Sequence, residues 1–199
     1  MSPDERRQAI VEAVIPLLVQ HGAALTTRQI AEAAGVAEGT LFRVFPDKRE
    51  LMRAAARAVL DPKAGRQRLA AIDPALDLPG MIRRVAELLL ANMGRVMAVL
   101  MAVRGIVGAE PPGPHGPHEP RTGPPEFVLE ANRSLLEGLT ELFGRYEEQL
   151  AVPPDRAALM LRSLVFGSRH PGMDSAAALT ADEIATVLVT GVAGRKAGC

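Results

Sequence analysis

Tryptophan is absent from this 199-residue chain, and its other aromatics are one tyrosine and five phenylalanines. Any internal cavity is therefore expected to be aliphatic and Met-lined, which disfavours recognition of a flat cation by aromatic stacking. A single cysteine, Cys199, excludes an intrachain disulfide and fits a reducing compartment. As a terminal thiol it reads as a bystander rather than a redox switch. Lys plus Arg equal Asp plus Glu at 23 each, so a non-specific coat on nucleic acid is not expected. The long apolar region, residues 85–103, is broken by Glu87, Asn92 and Arg95, and the first residues carry no apolar stretch of signal type. Neither a membrane span nor a leader is expected, and the expected location is cytoplasmic. Also missing are a Ser-His-Asp arrangement, a paired-carboxylate motif, a phosphate loop and a metal signature; the four histidines are scattered. These absences argue against an enzyme and against any cofactor or metal.

What is present is helical. Nearly half of the residues are hydrophobic, and most fall at helical spacing. Ile10, Val14, Leu17, Leu18 and His21 predict a buried stripe on a first helix that ends at His21-Gly22, with Pro16 bending its solvent side. Thr26 with Gln29 forms a capping box that starts a second helix, with Ile30, Ala33 and Ala34 on one face. Gly35 then provides the left-handed turn, with Val36 dropping toward the core. A third helix runs from about Glu38 to Phe45 with Leu41 and Phe45 inward, and Pro46 ends it. Asp47 with Glu50 forms another box opening a fourth helix at Lys48. Small Ala31, Ala34 and Gly35 suit a steep crossing, while Thr27, Arg28, Thr40 and Arg43 remain polar on the outer face. That is the pattern of a helix-turn-helix that enters a DNA groove. An ordinary helical hairpin with a solvated face is the other reading of the same residues.

Residues 5–60 resemble the N-terminal domain of the TetR family of transcriptional regulators. The resemblance rests on Thr-Thr-Arg-Gln-Ile-Ala-Glu-Ala-Ala-Gly-Val as second helix and turn, Gly-Thr-Leu-Phe-Arg-Val-Phe as recognition helix, and Pro-Asp-Lys-Arg-Glu-Leu opening the fourth helix. It implies an all-α protein: an N-terminal three-helix helix-turn-helix DNA-binding domain (1–47), a connecting helix (48–61), and a helical effector-binding and dimerisation domain (62–199). It also implies a homodimeric repressor, released from a palindromic double-stranded DNA operator by a small, mostly apolar effector. A helical interaction protein, or a ligand-independent regulator with a weakened DNA head, is the alternative.

The DNA-binding residues expected from this match are Thr27, Arg28, Glu38, Gly39, Thr40, Phe42, Arg43, Val44 and Lys48. Three positions depart from the family pattern. Ala37 replaces a hydroxyl N-cap worth about 1 kcal/mol, Phe42 replaces a tyrosine and loses its phosphate donor, and Val44 offers only apolar contact. The head, residues 1–60, carries eight bases against seven acids. Affinity must then come from a few placed charges and two-fold repetition rather than from bulk charge. Arg49, Arg53 and Arg57 read as a solvated face.

Past Leu60 the pattern changes. A weakly patterned link leads into an apolar helix over about 81–104, on which Val85, Leu88, Leu89, Val96, Leu100 and Val103 form a broad face. Met93, Met97, Leu100, Met101 and Arg104, with Phe127, are the candidate effector pocket, although a Met stripe also fills irregular cores. Residues 108–125, dense in Pro and Gly, predict a loop, either a connector or a lid. His115 and His118 within it make a poor metal site. Three helices follow, near 126–150, 155–166 and 181–192. The resemblance assigns the last two to a four-helix bundle across a two-fold axis, with Leu159, Leu161, Leu164, Val165, Ile184, Val187, Leu188 and Val192 as candidates. Leu161, Leu164, Val165, Ile184 and Leu188 head that list, and intrachain core is their other reading.

Overall fold

The structure, a computed structural model, describes residues 2–108, 124–169 and 178–192. The bulk of the Pro/Gly-rich segment with His115 and His118, the His170-Pro171-Gly172 separator and Cys199 lie outside them. Among the described residues the elements are helical: α1 (Pro3–His21), α2 (Thr27–Ala33), α3 (Glu38–Val44), α4 (Lys48–Val59), α5 (Pro62–Ala70), α6 (Leu78–Gly108), α7 (Glu126–Gly144), α8 (Pro154–Gly167) and α9 (Ala181–Val192). Short 3₁₀ turns follow α1 and α7.

The chain divides into two compact units, Met1–Asp61 with Gly94–Val128, and Pro62–Met93 with Leu129–Cys199. A linear division at residue 62 does not capture this, because the end of α6 buries Val96, Val99 and Ala102 in the core of the first unit. That core gathers Ile10, Val11, Val14, Ile15 and Leu18 of α1 with Leu25, Ile30, Leu41, Phe45, Leu51, Met52, Ala55, Ala56 and Val59. Spacing on α1 follows the expected period, and Pro16 sits on its exposed side with the helix continuing to His21. His21 itself is exposed and Leu17 only half-buried.

Each junction in the first unit has a local chemical cause. Ser2 and Glu5 form a capping box on α1, and Thr26 and Gln29 form one on α2. After α2 the Val36 N–H bonds the Ala31 carbonyl at 3.0 Å and the Gly35 N–H bonds Glu32 at 3.2 Å, a Schellman closure with Gly35 at φ 64°. Val36 is half-buried beyond it, while Ala33, expected on the inner face, is exposed and Ala31 is buried instead. A Cβ at Gly35 would meet no atom within 4 Å. Gly35→Ala should therefore cost only the left-handed strain, about 1–2 kcal/mol, read as a shift in the urea midpoint. A neutral result would mean that the turn tolerates another backbone conformation.

In the second unit the segment read as a weakly patterned link is helix α5, opened by Pro62, whose fixed φ suits a first helical turn. It buries only Leu69, so its sequence carries little apolar periodicity. The Leu69 side chain fills the space beside Gly138 of α7, where a Cβ would approach Leu69 Cδ1 to 2.8 Å. Tyr146 closes this end by donating its hydroxyl to the Leu76 carbonyl at 2.6 Å. Helix α7 stops at Gly144, shorter than the expected 126–150. Pro153-Pro154 opens α8, and α9 starts on a reciprocal Thr180–Glu183 cap. By accepting two hydrogen bonds from Thr180, backbone first, the Glu183 carboxyl is held below its ordinary pKa.

One stretch, Leu78–Arg104 of α6, is long and apolar enough to cross a membrane by length and composition. Of its most apolar window 33% is buried in protein, with Met81, Ile82, Val85, Ala86, Met93, Val96, Val99 and Ala102 among the buried side chains of the stretch.

Candidate nucleic-acid interface

The outer face of the first unit is assembled from the start of α2 and the whole of α3. Arg28, Glu38, Gly39, Phe42 and Arg43 are exposed there, and Thr27 and Thr40 are half-buried. Phe42 is 45% exposed, a large apolar ring in water on a seven-residue helix. Arg43 makes no ion pair among the described residues. Gly39 has open space around it, so a phosphate or sugar can approach its backbone.

Two contacts occupy this face from within. The Thr27 hydroxyl donates to Glu38, tying the N-termini of α2 and α3. Arg28 Nε donates to Glu32 Oε1 at 2.9 Å, and that bond, with the attraction of Glu32 and then Glu38, raises the guanidinium pKa further. Both partners are well exposed, so the pair contributes little to stability and separates readily. Ala37 makes no side-chain cap, as its residue type dictates. Glu38 in the first turn supplies negative charge at the uncapped end instead.

Two expected contacts are placed differently. Val44 is half-buried against the core, so its side chain serves packing. Lys48 Nζ donates to the carbonyl of Leu25, pinning the start of α4 to the α1–α2 connection, and burial lowers its pKa. The Asp47 box is also only half made. Asp47 accepts from the Glu50 N–H at 2.7 Å, but the Glu50 carboxylate turns to arginines.

Those arginines include a residue that local sequence patterns do not single out. Arg7 NH1 donates to the Val44 carbonyl at 3.2 Å, its NH2 meets Glu50 at 3.3 Å, and its guanidinium lies 4.3 Å from the Phe45 ring centroid. A cation thus satisfies the C-terminal end of the recognition helix and braces it against α1 and α4. Partners 37 and 43 residues away leave no local signal. Arg7→Ala should weaken specific DNA binding about five- to tenfold, roughly 1 kcal/mol after discounting for solvent, with non-specific binding unchanged. An equal loss on random DNA would make Arg7 a phosphate contact instead.

The remaining sequence-chosen residues lie away from this face. On α6, Met93 is buried in the second unit, Met97 is half-buried, and Leu100 and Phe127 are half-buried against the core of the first. Arg57 stands 5.8 Å from the Phe127 ring centroid. Met101, 53% exposed, and Arg104 face solvent. Within the second unit Leu161, Val165, Ile184 and Leu188 are buried inside the protomer and Leu164 is half-buried. The first four are intrachain core, because α8 and α9 pack on each other. The exposed apolar groups of these helices are Leu159, Met160 and Val187, and the side chain of Val192 lies outside the described residues.

A short helix pair joined by a glycine turn, with an exposed polar and aromatic face, has the form of a helix-turn-helix. Residues 10–55 match the model of the bacterial regulatory proteins, tetR family. The fold extends the likeness over the whole chain. The regulator LfrR of Mycobacterium smegmatis, solved in complex with proflavine, matches at TM-score 0.59 and 25% identity, over 98% of this chain and 100% of that one. NalD of Pseudomonas aeruginosa, the secondary repressor of the MexAB-OprM multidrug efflux pump, matches at 0.53 and 21%, covering 96% and 98%. A TetR transcriptional regulator of Streptomyces coelicolor matches at 0.55 and 20%, covering 94% and 98%. A TetR-type domain thus lies at residues 10–55, and the whole chain shares the fold of these solved regulators.

Proposed function

We propose that this chain is a cytoplasmic repressor, not an enzyme, which binds a pseudo-palindromic operator as a homodimer and leaves it when a small, mostly apolar effector binds. The observation carrying this reading is the exposed α2–α3 face, with Arg28, Thr40, Phe42 and Arg43 outward on a helix braced at its base. Two such helices, one per protomer, enter successive major grooves roughly 34–36 Å apart. Leu159, Met160 and Val187 supply the apolar part of the surface joining the two copies, in place of the four residues consumed by the protomer core. Helix α6 contributes side chains to the cores of both units, so an effector that favours one setting of α6 acts on the head by differential affinity for two states.

Selection of bound sequences from random duplex DNA, followed by mobility shift at moderate salt, tests the reading. Enrichment of a two-fold symmetric site bound by a dimer is expected. Binding every oligonucleotide alike, or a monomer in solution at binding concentrations, would overturn it.

A further inference from the structure

Within the second unit three of the nine described arginines pair with acids, and Arg68, Arg133, Arg145, Arg156 and Arg169 are exposed to water. Arg66 meets Glu141 at 2.7 Å and Glu137 at 3.9 Å, Arg83 meets Asp182 at 3.7 Å, and Arg84 meets Glu87 at 3.1 Å. Arg162 of α8 is half-buried and differs. Its NH2 donates to the neutral Asn132 Oδ1 of α7 at 2.9 Å, and its guanidinium lies 4.7 Å from the Phe166 ring centroid. Its Nε is sealed from solvent and has no acceptor among the described residues. No carboxylate among the described residues pairs with it.

A partly desolvated guanidinium with a neutral partner on one donor, a ring beside it and an orphaned N–H is poised for an anion. A carboxylate matches the arginine fork with two oxygens and would satisfy Nε while balancing the charge. One cation with one amide suits a monoanion, whereas a phosphate dianion calls for further positive groups. The Phe166 ring gives the guanidinium an apolar neighbour. We propose that Arg162, Asn132 and Phe166 receive the head group of the effector, and that the effector is an organic carboxylate with an apolar body. The proposal rests on the effector-released reading above. It departs from a flat cation such as proflavine, which would meet a like charge here.

The full-length protein is first tested for dimerisation and operator binding without ligand, so that failure of the parent reading shows separately. Thermal shift and operator release are then measured with decanoate and naphthoate against decanol and naphthol, uncharged analogues of similar shape. The acids should bind at least tenfold more tightly than the alcohols. Arg162→Met should abolish that preference while leaving ligand-free operator affinity intact. Arg162→Gln serves the same purpose if the first variant folds poorly. Equal response to acid and alcohol, no response to either acid, or a variant that keeps the preference would overturn the proposal. So would a variant whose dimer falls apart, since Arg162 would then pair with an acid of the second copy.

Discussion

Phe45→Ala should unfold the DNA-binding head under conditions where the native chain is stable, at a cost of about 3–5 kcal/mol. The ring is 1% exposed and sits in the core with Ile10, Leu18, Leu41 and Leu51. Truncation leaves a cavity in a cluster to which α1, α2, α3, α4 and α6 all contribute. It also strips the ring from beneath the Arg7 guanidinium and so loosens the anchor on the Val44 carbonyl. Small domains are stable by only about 5–15 kcal/mol, so the loss takes a large share. Urea unfolding followed by circular dichroism measures it. Phe45→Leu, nearer in volume, should cost below about 1.5 kcal/mol. An alanine variant within about 1 kcal/mol of the native chain would show that the ring is not a core anchor.

The contrast between the head and the rest follows from the range of the interactions. Thr26 with Gln29, Gly35, and Pro46 with Asp47 act over three or four residues, so the ends of α2, α3 and α4 are legible from their own letters. Arg7, Val44 and Glu50 meet only once the chain has folded, and no spacing rule brings them together. Helix α5 escaped notice because Pro62–Ala70 turns a single apolar side chain to the core. Periodicity on α8 and α9 marked the apolar faces, but could not say whether the same chain or a second copy covers them. Leu161, Val165, Ile184 and Leu188 are covered by the protomer, while Leu159 and Val187 of the same expected set are exposed. The apolar period of α6 is likewise silent on its serving two cores, Val85 in one unit and Val99 in the other.

Arg28→Ala should weaken operator binding by about 1–3 kcal/mol and relax preference at one base pair, the loss expected for a bidentate guanine contact. In the free protein its guanidinium is held by Glu32, an exposed carboxylate one helical turn away. Binding DNA must exchange that carboxylate for a base edge, so part of the contact energy is offset before specificity is felt. Glu32→Ala therefore provides the opposing variant. It frees Arg28, removes one negative charge beside the phosphates, and should raise affinity for all duplexes several-fold and for the operator most, widening the ratio between operator and random DNA. The two substitutions share a contact, so they should not add: with Arg28 already gone, Glu32→Ala should retain only its general electrostatic effect. A four-way comparison by fluorescence anisotropy at two salt concentrations reads both quantities. If Arg28→Ala shifts operator and random DNA equally, Arg28 is a phosphate contact, and sequence preference passes to Thr40 and Arg43 on α3.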